Sequence, residues 1–322
     1  MSFPEAPRAT VDLIDLPERL EVLDFLRERK PNFERNASRC WVSSAMVVAL
    51  FANSGSGSGG APATEERLRA WGAEVGSSES TDALEAAAGT ADRIVVAGGD
   101  GSVAPAAAVA GRAGLPLAVV PCGTANDFAR AMDLPSDVDE ACRLAVRGER
   151  TRALELGRMG ERPFVNVASG GLAAVAARRA DPLKKRLGQF AYLWGAVRAG
   201  ASSGPWECHV RCDGREVFSG GAWQVIVASS GAFGGGSEIA EADPTDGMLD
   251  VTVIPAGSRL RLAQRAAGLR SGAVTEQRGV VHARGRAAEV DGDLEYNVDG
   301  EVVAESSARF GVSHAAFRLV VG

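Results

Sequence analysis

The chain has 322 residues, 46% hydrophobic and 24% charged, with 35 Lys+Arg against 41 Asp+Glu. That length suits about two domains around a sizeable core, and the mild acidity argues against general nucleic-acid binding. No apolar run reaches the roughly 18 residues of a membrane-spanning helix, and the charged N-terminal stretch lacks the apolar centre of a signal peptide.

Residues 1–45 differ from the rest of the chain and read as a loosely ordered N-terminal extension. Pro17–Arg29 suits a short amphipathic helix, Pro31–Ser44 is polar and irregular, and Asp12, Asp15, Glu18, Glu21 and Asp24 would repel anionic lipid. From Met46 strands and helices alternate. The pattern predicts a strand at Met46–Phe51, a Gly/Ser loop, and helices at Glu65–Trp71 and Thr81–Gly89, the latter with Thr81 as N-cap. A strand at Arg93–Ala97 precedes a helix at Pro105–Ala113 with its proline in the first turn, and a strand at Leu117–Val120 comes next. Helices at Asp127–Met132 and Val138–Val146 lead to a strand at Arg152–Leu156. Such alternation implies a parallel sheet covered on both faces.

The second half is richer in short β segments: Trp206–Cys212, Ala222–Ala228, Met248–Ile254, Gly279–Arg284, Ala287–Val290, Leu294–Val298 and Phe317–Val321. Gly, Asp and Pro separate them, one helix near Leu260–Leu269 interrupts, and the pattern predicts an antiparallel sandwich. The expected fold class is therefore α/β plus β. Five cysteines (Cys40, Cys122, Cys142, Cys208 and Cys212) form no disulfide framework, which suggests a reducing cytoplasm. Cys208 and Cys212 around His209 read as strand thiols rather than metal ligands.

Two neighbouring strands end in glycine-rich polar loops, Gly98-Gly99-Asp100-Gly101-Ser102 and Pro121-Cys122-Gly123-Thr124-Ala125-Asn126-Asp127. Ligands of open α/β sheets bind at such strand ends, and side-chain-free residues let backbone amides approach phosphate oxygens. A carboxylate at Asp100 would repel phosphate unless Mg²⁺ intervenes or it orients another group. Gly55-Ser56-Gly57-Ser58-Gly59-Gly60 fits a dinucleotide fingerprint with Glu74 as the ribose acid, but a Ser/Gly run fits many glycine patterns and that reading leaves the two later loops unexplained. Asp243-Pro244-Thr245-Asp246-Gly247-Met248-Leu249-Asp250 and Asn297-Val298-Asp299-Gly300-Glu301 place further acids beside glycine turns. Each alone suits a hairpin turn; together with the upstream loops they suggest a Mg²⁺ site and a general base.

In this order the motifs resemble the diacylglycerol kinase catalytic-domain family, specifically its soluble bacterial lipid kinases, from about Met46 to Gly322. The resemblance implies a nucleotide-binding α/β domain at 46–158, joined by about 305–322 through a returning last strand, and a β-sandwich domain at 159–304. It implies ATP contacts at Asn53, Ser54, Gly55, Ser56, Gly57, Ser77, Gly98, Gly99, Asp100, Gly101, Ser102 and Thr124. Magnesium ligation falls on Asp243, Asp246 and Met248, the outer two through backbone carbonyls. Asp127 and Glu155 match a supporting acidic network in which the family prefers Asp at the second position. Asp299 and Glu301 match the acidic pair that includes the proposed base, and either could serve. The first loop lacks the family's Asn-Pro and nearby basic residue, and Ser229 stands where Asn is common before Gly234–Gly236.

The implied reaction is transfer of the ATP γ-phosphoryl group to a lipid hydroxyl, most directly diacylglycerol to phosphatidic acid. A sphingoid base, phosphatidylglycerol or a polar small molecule is the alternative acceptor, and a catalytically silent nucleotide- or lipid-binding regulator is the non-enzyme alternative. A cytoplasmic lipid kinase must reach the inner face of a membrane, and a homodimer is left open. Arg259, Arg261, Arg265, Arg270, Arg278, Arg284 and Arg286 accompany only one acid, Glu276, between Pro255 and Arg286. They suit either anionic lipid or a solvated face paired with Glu289–Glu301. Arg178, Arg179, Lys184, Lys185 and Arg186 form a second candidate patch.

Overall fold

Apolar runs in the first half form strands buried on both sides. In the computed structural model β1 (Met46–Phe51), β2 (Ala73–Ser78), β3 (Arg93–Gly98) and β4 (Pro116–Pro121) pair in parallel in the order β2-β1-β3-β4. Alternate side chains enter two cores. Ala49, Phe51, Ile94, Val96, Leu117 and Val119 pack beneath α2 (Thr81–Ala88) and α3 (Asp100–Ala113). Val48, Leu50, Val95, Ala97, Ala118 and Val120 pack beneath α1 (Gly60–Ala70) and α5 (Val138–Arg147), with the short α4 (Asp127–Ala131) between β4 and α5. The structure describes residues 45–52, 60–180, 204–233, 237–239 and 241–322, all within one unit, Ala45–Gly322. The expected helix at Pro17–Arg29, the loop Asn53–Gly57, Lys184 to Arg186 and Gly234–Gly236 lie outside the described residues.

The second half is antiparallel and continuous with the first. β5 (Thr151–Met159), β6 (Arg162–Phe164), β7 (Val167–Gly171), β8 (Trp206–Cys212), β9 (Arg215–Ala228), β12 (Leu249–Pro255), β13 (Val281–Gly285), β14 (Ala287–Val298) and β15 (Glu301–Val320) complete a 13-stranded sheet, and β10 (Ala232–Phe233) pairs β11 (Ser237–Glu238) separately. One core gathers Val210, Val225, Val251, Val290, Tyr296 and Phe310. A second holds Ile226, Ile239 and Ile254 beneath α6 (Leu172–Ala180) and α7 (Arg259–Arg270), which contribute Leu172, Ala176 and Leu269. The last strand does return. β15 pairs β14 from Glu301 to Gly311, pairs β5 from Phe310 to Val320 with a register shift between Ser313 and Phe317, and runs parallel to β4 at Arg318 and Leu319.

Several local expectations need correction. Ser80, not Thr81, caps α2, its hydroxyl accepting from the Ala83 amide at 3.3 Å. Helix α3 begins at Asp100 with Gly99 as N-cap, so Pro105 sits inside it rather than in its first turn. β2 has too little apolar alternation to be read as a strand; its register against β1 defines it. β7 carries Ser and glycines because the sheet is tight there: a Cβ on Gly170 would lie 2.7 Å from the Tyr296 ring, and Gly171 has φ +96°. Ala287–Val290 and Leu294–Val298 are one strand interrupted by a register shift. Cys208 and Cys212 point into the core, whereas His209 on the opposite face meets Ser219 Oγ at 3.0 Å.

Candidate active site

The two glycine loops after β3 and β4 touch through their backbones. A Cβ on Gly123 would lie 2.5 Å from Gly99 Cα, and one on Gly99 would lie 3.2 Å from Gly123 Cα. The Cys122 amide donates to Gly98 O at 2.9 Å. Asn126, at φ 51°, closes its loop by accepting from the Gly123 amide and donating to the Gly123 carbonyl, both at 2.9 Å. The N-terminal turn of α3 starts at this junction, with no side chain capping it. Exposed amides at a helix start favour anions. Thr124 is exposed beside them. Ser102 is buried, its hydroxyl beneath Gly98 and its amide donating to Gly99 O at 3.0 Å, which sets it inside the turn.

Asp100 orients other groups. Its carboxylate accepts from the amides of Asp127 at 3.1 Å and Phe128 at 2.8 Å, satisfying the first turn of α4, and from Asn166 Nδ2 at 3.2 Å. Asp127 itself is buried and paired with Arg130. Ser77, at the end of β2, donates to Glu65 Oε2 at 2.6 Å, and that bond holds the Glu65 carboxyl below its usual range.

From the antiparallel half, a two-residue turn between β14 and β15 reaches the same place. Asp299 at φ 44° and Gly300 at φ 101° fit the Asp-Gly hairpin geometry, and the Asp299 carbonyl lies 3.6 Å from where a Cβ on Gly101 would stand. The buried Asp299 carboxylate accepts from the amides of Val165 at 2.7 Å, Asn166 at 3.1 Å and Val167 at 3.0 Å. Burial pushes its pKa up to about 7 and Asp100 adds to this, while the three amides oppose it. Glu301, by contrast, has an exposed side chain (61%) and pairs with Arg162 at 2.6 Å.

Asn166 joins these pieces and was not singled out in the sequence. It is buried, donates to Asp100 through its side chain and to Asp299 through its amide, and accepts from Ser230 Oγ at 2.7 Å. Its carbonyl accepts the Ser229 amide at 2.9 Å. A polar residue inside the apolar run Phe164-Val165-Asn166-Val167 was the available signal.

The loop Asp243–Met248 is held from below by Glu155. Its carboxylate accepts from Ser229 Oγ at 2.9 Å and the Gly247 amide at 2.8 Å, and its amide donates to Pro244 O at 2.9 Å. Burial lifts the Glu155 pKa to about 7, against the bonds from Ser229 and Gly247. The Asp243 carboxylate accepts the Thr245 hydroxyl at 2.6 Å and amide at 3.0 Å, the hydroxyl chiefly holding its pKa low. Asp246 accepts from the Met248 amide at 2.8 Å and pairs with Arg284, whose Nε lies 3.2 Å from the buried Asp250. The Asp246 carboxylate and the carbonyls of Asp243 and Met248 are all oxygen donors, the type that suits a hard dication such as Mg²⁺. Arg284 already neutralises part of that charge.

Residues 48–159 match the model of the diacylglycerol kinase catalytic domain, and residues 166–321 match the YegS C-terminal NAD kinase beta sandwich-like domain. A Pseudomonas putida protein described as "Probable lipid kinase YegS-like" is 32% identical over 242 residues, covering 73% of this chain and 79% of that protein. A Pseudomonas syringae pv. tomato protein of the same description is 34% identical over 241 residues, covering 70% and 74%. A Staphylococcus aureus "Diacylglycerol kinase" is 28% identical over 225 residues, covering 68% and 71%. In fold, a diacylglycerol kinase structure from Bacillus anthracis str. Sterne aligns with TM-score 0.69 at 20% identity, over 88% of this chain and 99% of that one. Motif order, a doubly covered parallel sheet and an antiparallel half carrying the Asp-Gly turn all agree: the chain belongs to the diacylglycerol kinase catalytic-domain family, among its YegS-like lipid kinases.

Proposed function

We propose that this protein transfers the γ-phosphoryl group of ATP to a lipid hydroxyl, with diacylglycerol as acceptor and phosphatidic acid as product. The observation that carries the reading is the junction of Gly99, Gly123 and the Asp299-Gly300 turn, with Asn166 bonded to both Asp100 and Asp299. Phosphoryl transfer needs alignment and charge neutralisation more than covalent participation by the protein. The start of α3 offers amides to the phosphates, and Thr124 stands beside it. Asp243, Asp246 and Met248 would hold Mg²⁺, which when bound supplies positive charge that offsets the loop acids and steadies the loop.

Glu301 is the better base of the acidic pair. Both Asp299 oxygens already accept amide hydrogens, whereas Glu301 is exposed and need only leave Arg162 to take a hydroxyl proton. Asp299 then acts as a positioning residue that fixes the turn. The test measures ATP consumption with Mg²⁺ over a panel of detergent-dispersed lipids and polar alcohols. Diacylglycerol-dependent turnover that Glu301→Gln abolishes is expected. Turnover only on a polar small molecule, or on no acceptor at all, overturns the reading.

A further inference from the structure

The seven arginines between Pro255 and Arg286 are not equivalent. Arg265 is buried and donates to Pro255 O, and Arg284 is committed to Asp246 and Asp250. Arg178, from the second basic patch, pairs with Glu295. Arg259, Arg261 and Arg270 on α7 are exposed and have no acidic partner among the described residues. Arg278 is exposed on the loop between α7 and β13.

Helix α7 packs inward through Leu262, Arg265 and Leu269. At helical spacing the opposite face presents Leu260, Ala263 and Ala267, all exposed, with Arg259 and Arg270 along one side and Arg261 along the other. Leu260, 72% exposed, is the one exposed large hydrophobic residue among the described residues. The helix carries no acid. Beyond its C-terminal end Thr275 bonds to Glu241, two residues before the Asp243–Met248 loop, which ties the segment after α7 to that loop.

We propose that the outer face of α7 is a membrane-docking surface for an anionic bilayer, with Leu260 inserting between headgroups while Arg259, Arg261 and Arg270 engage lipid phosphates. A narrow apolar line flanked by arginines matches an interfacial helix, whose charged heads stay at headgroup level. A protein partner is disfavoured, since one leucine and two alanines fall short of the roughly 1,000 Å² of well-packed surface a specific interface needs. The local positive charge stands out on a chain of net charge −6, which supplies the complementarity to acidic lipid. The inference rests on the lipid acceptor proposed above for its purpose, but vesicle binding tests it separately.

The experiment sediments the full chain with phosphatidylcholine vesicles, with and without phosphatidylglycerol. Binding that requires phosphatidylglycerol and weakens with salt is expected. Each of Arg259→Gln, Arg261→Gln and Arg270→Gln should weaken it about fivefold, and the three together on the order of 100-fold. Leu260→Ser should weaken it about tenfold. Turnover on detergent-dispersed diacylglycerol should stay at the parent level in all these variants, so a failed lipid-kinase reading and a failed docking face give different results. Parent-level vesicle binding by the triple variant, indifference of the parent to phosphatidylglycerol, or binding to single-stranded RNA in preference to vesicles would each overturn the proposal.

Discussion

In the parallel half the site loops meet backbone to backbone, Gly99 against Gly123, whereas in the antiparallel half they are tied by buried carboxylates, Asp299 to three amides and Glu155 to a fourth. The first arrangement depends on volume that is missing and gives close access to a polyanion. The second depends on acceptors that are present, since a buried amide without a partner is expensive. The two halves should therefore fail in different ways: the glycine junction when atoms are added, the carboxylate ties when oxygens are removed.

The largest effect is expected from Asp299→Ala, which orphans the amides of Val165, Asn166 and Val167. At about 1–3 kcal/mol for each unsatisfied group, roughly 3 kcal/mol or more of stability should go, together with turnover. Urea unfolding measures it, and a variant as stable as its parent would refute the carboxylate tie. Gly123→Ala comes next. Its methyl has no room against Gly99 Cα, so a loss of about 1–3 kcal/mol and a raised KM for ATP are expected, with Gly99→Ala milder. Unchanged ATP kinetics in Gly123→Ala would remove the junction from nucleotide binding.

Titration sharpens the comparison further. Asp299 and Glu155 both hold their protons more tightly folded than unfolded, each up to about 7. Their contribution to stability is complete at low pH and is lost as pH rises from the ordinary carboxylate range, about 4, through about 7. In Glu155→Gln the amide can still accept from Gly247 and donate to Ser229, so the fold should persist while stability falls less steeply across that window. Thermal melts from pH 4 to pH 7 read the slopes, about 4 and 7 being the two ends of the titration; equal slopes for parent and variant would remove Glu155 from the effect. The smallest change is Ser80→Ala, a helix cap remote from the site, expected to lower stability by about 1 kcal/mol while leaving turnover intact.

The strands and helices of the parallel half were legible because strand runs and helical spacing recur within short windows. The exception was β2, whose polar sequence identifies it only once β1 lies beside it. In the antiparallel half segments of β5, β8, β9 and β12 to β15 were visible, but β7 was hidden by glycines, Gly170 lying against the Tyr296 ring and Gly171 against the Trp223 carbonyl. The site divided in the same way. Gly98–Gly101, Gly123 and the Asp299-Gly300 turn are local motifs whose residue types announce tight backbone geometry. Asn166 is bonded across 133 positions of sequence to Asp299 and 66 to Asp100, and no local pattern carries that.

By itself the amino-acid sequence determined the class of fold, the order of the motifs and the presence of an acidic pair at Asp299 and Glu301, because each depends on spacing within one segment. Only the tertiary structure decided what the charges do. It turned Asp100 toward the start of α4, enclosed Asp299 among amides, left Glu301 outside with Arg162, and buried Arg265 while exposing Arg259, Arg261 and Arg270. The role of a charge is set by burial and by the partners within reach, and both depend on segments distant in the chain.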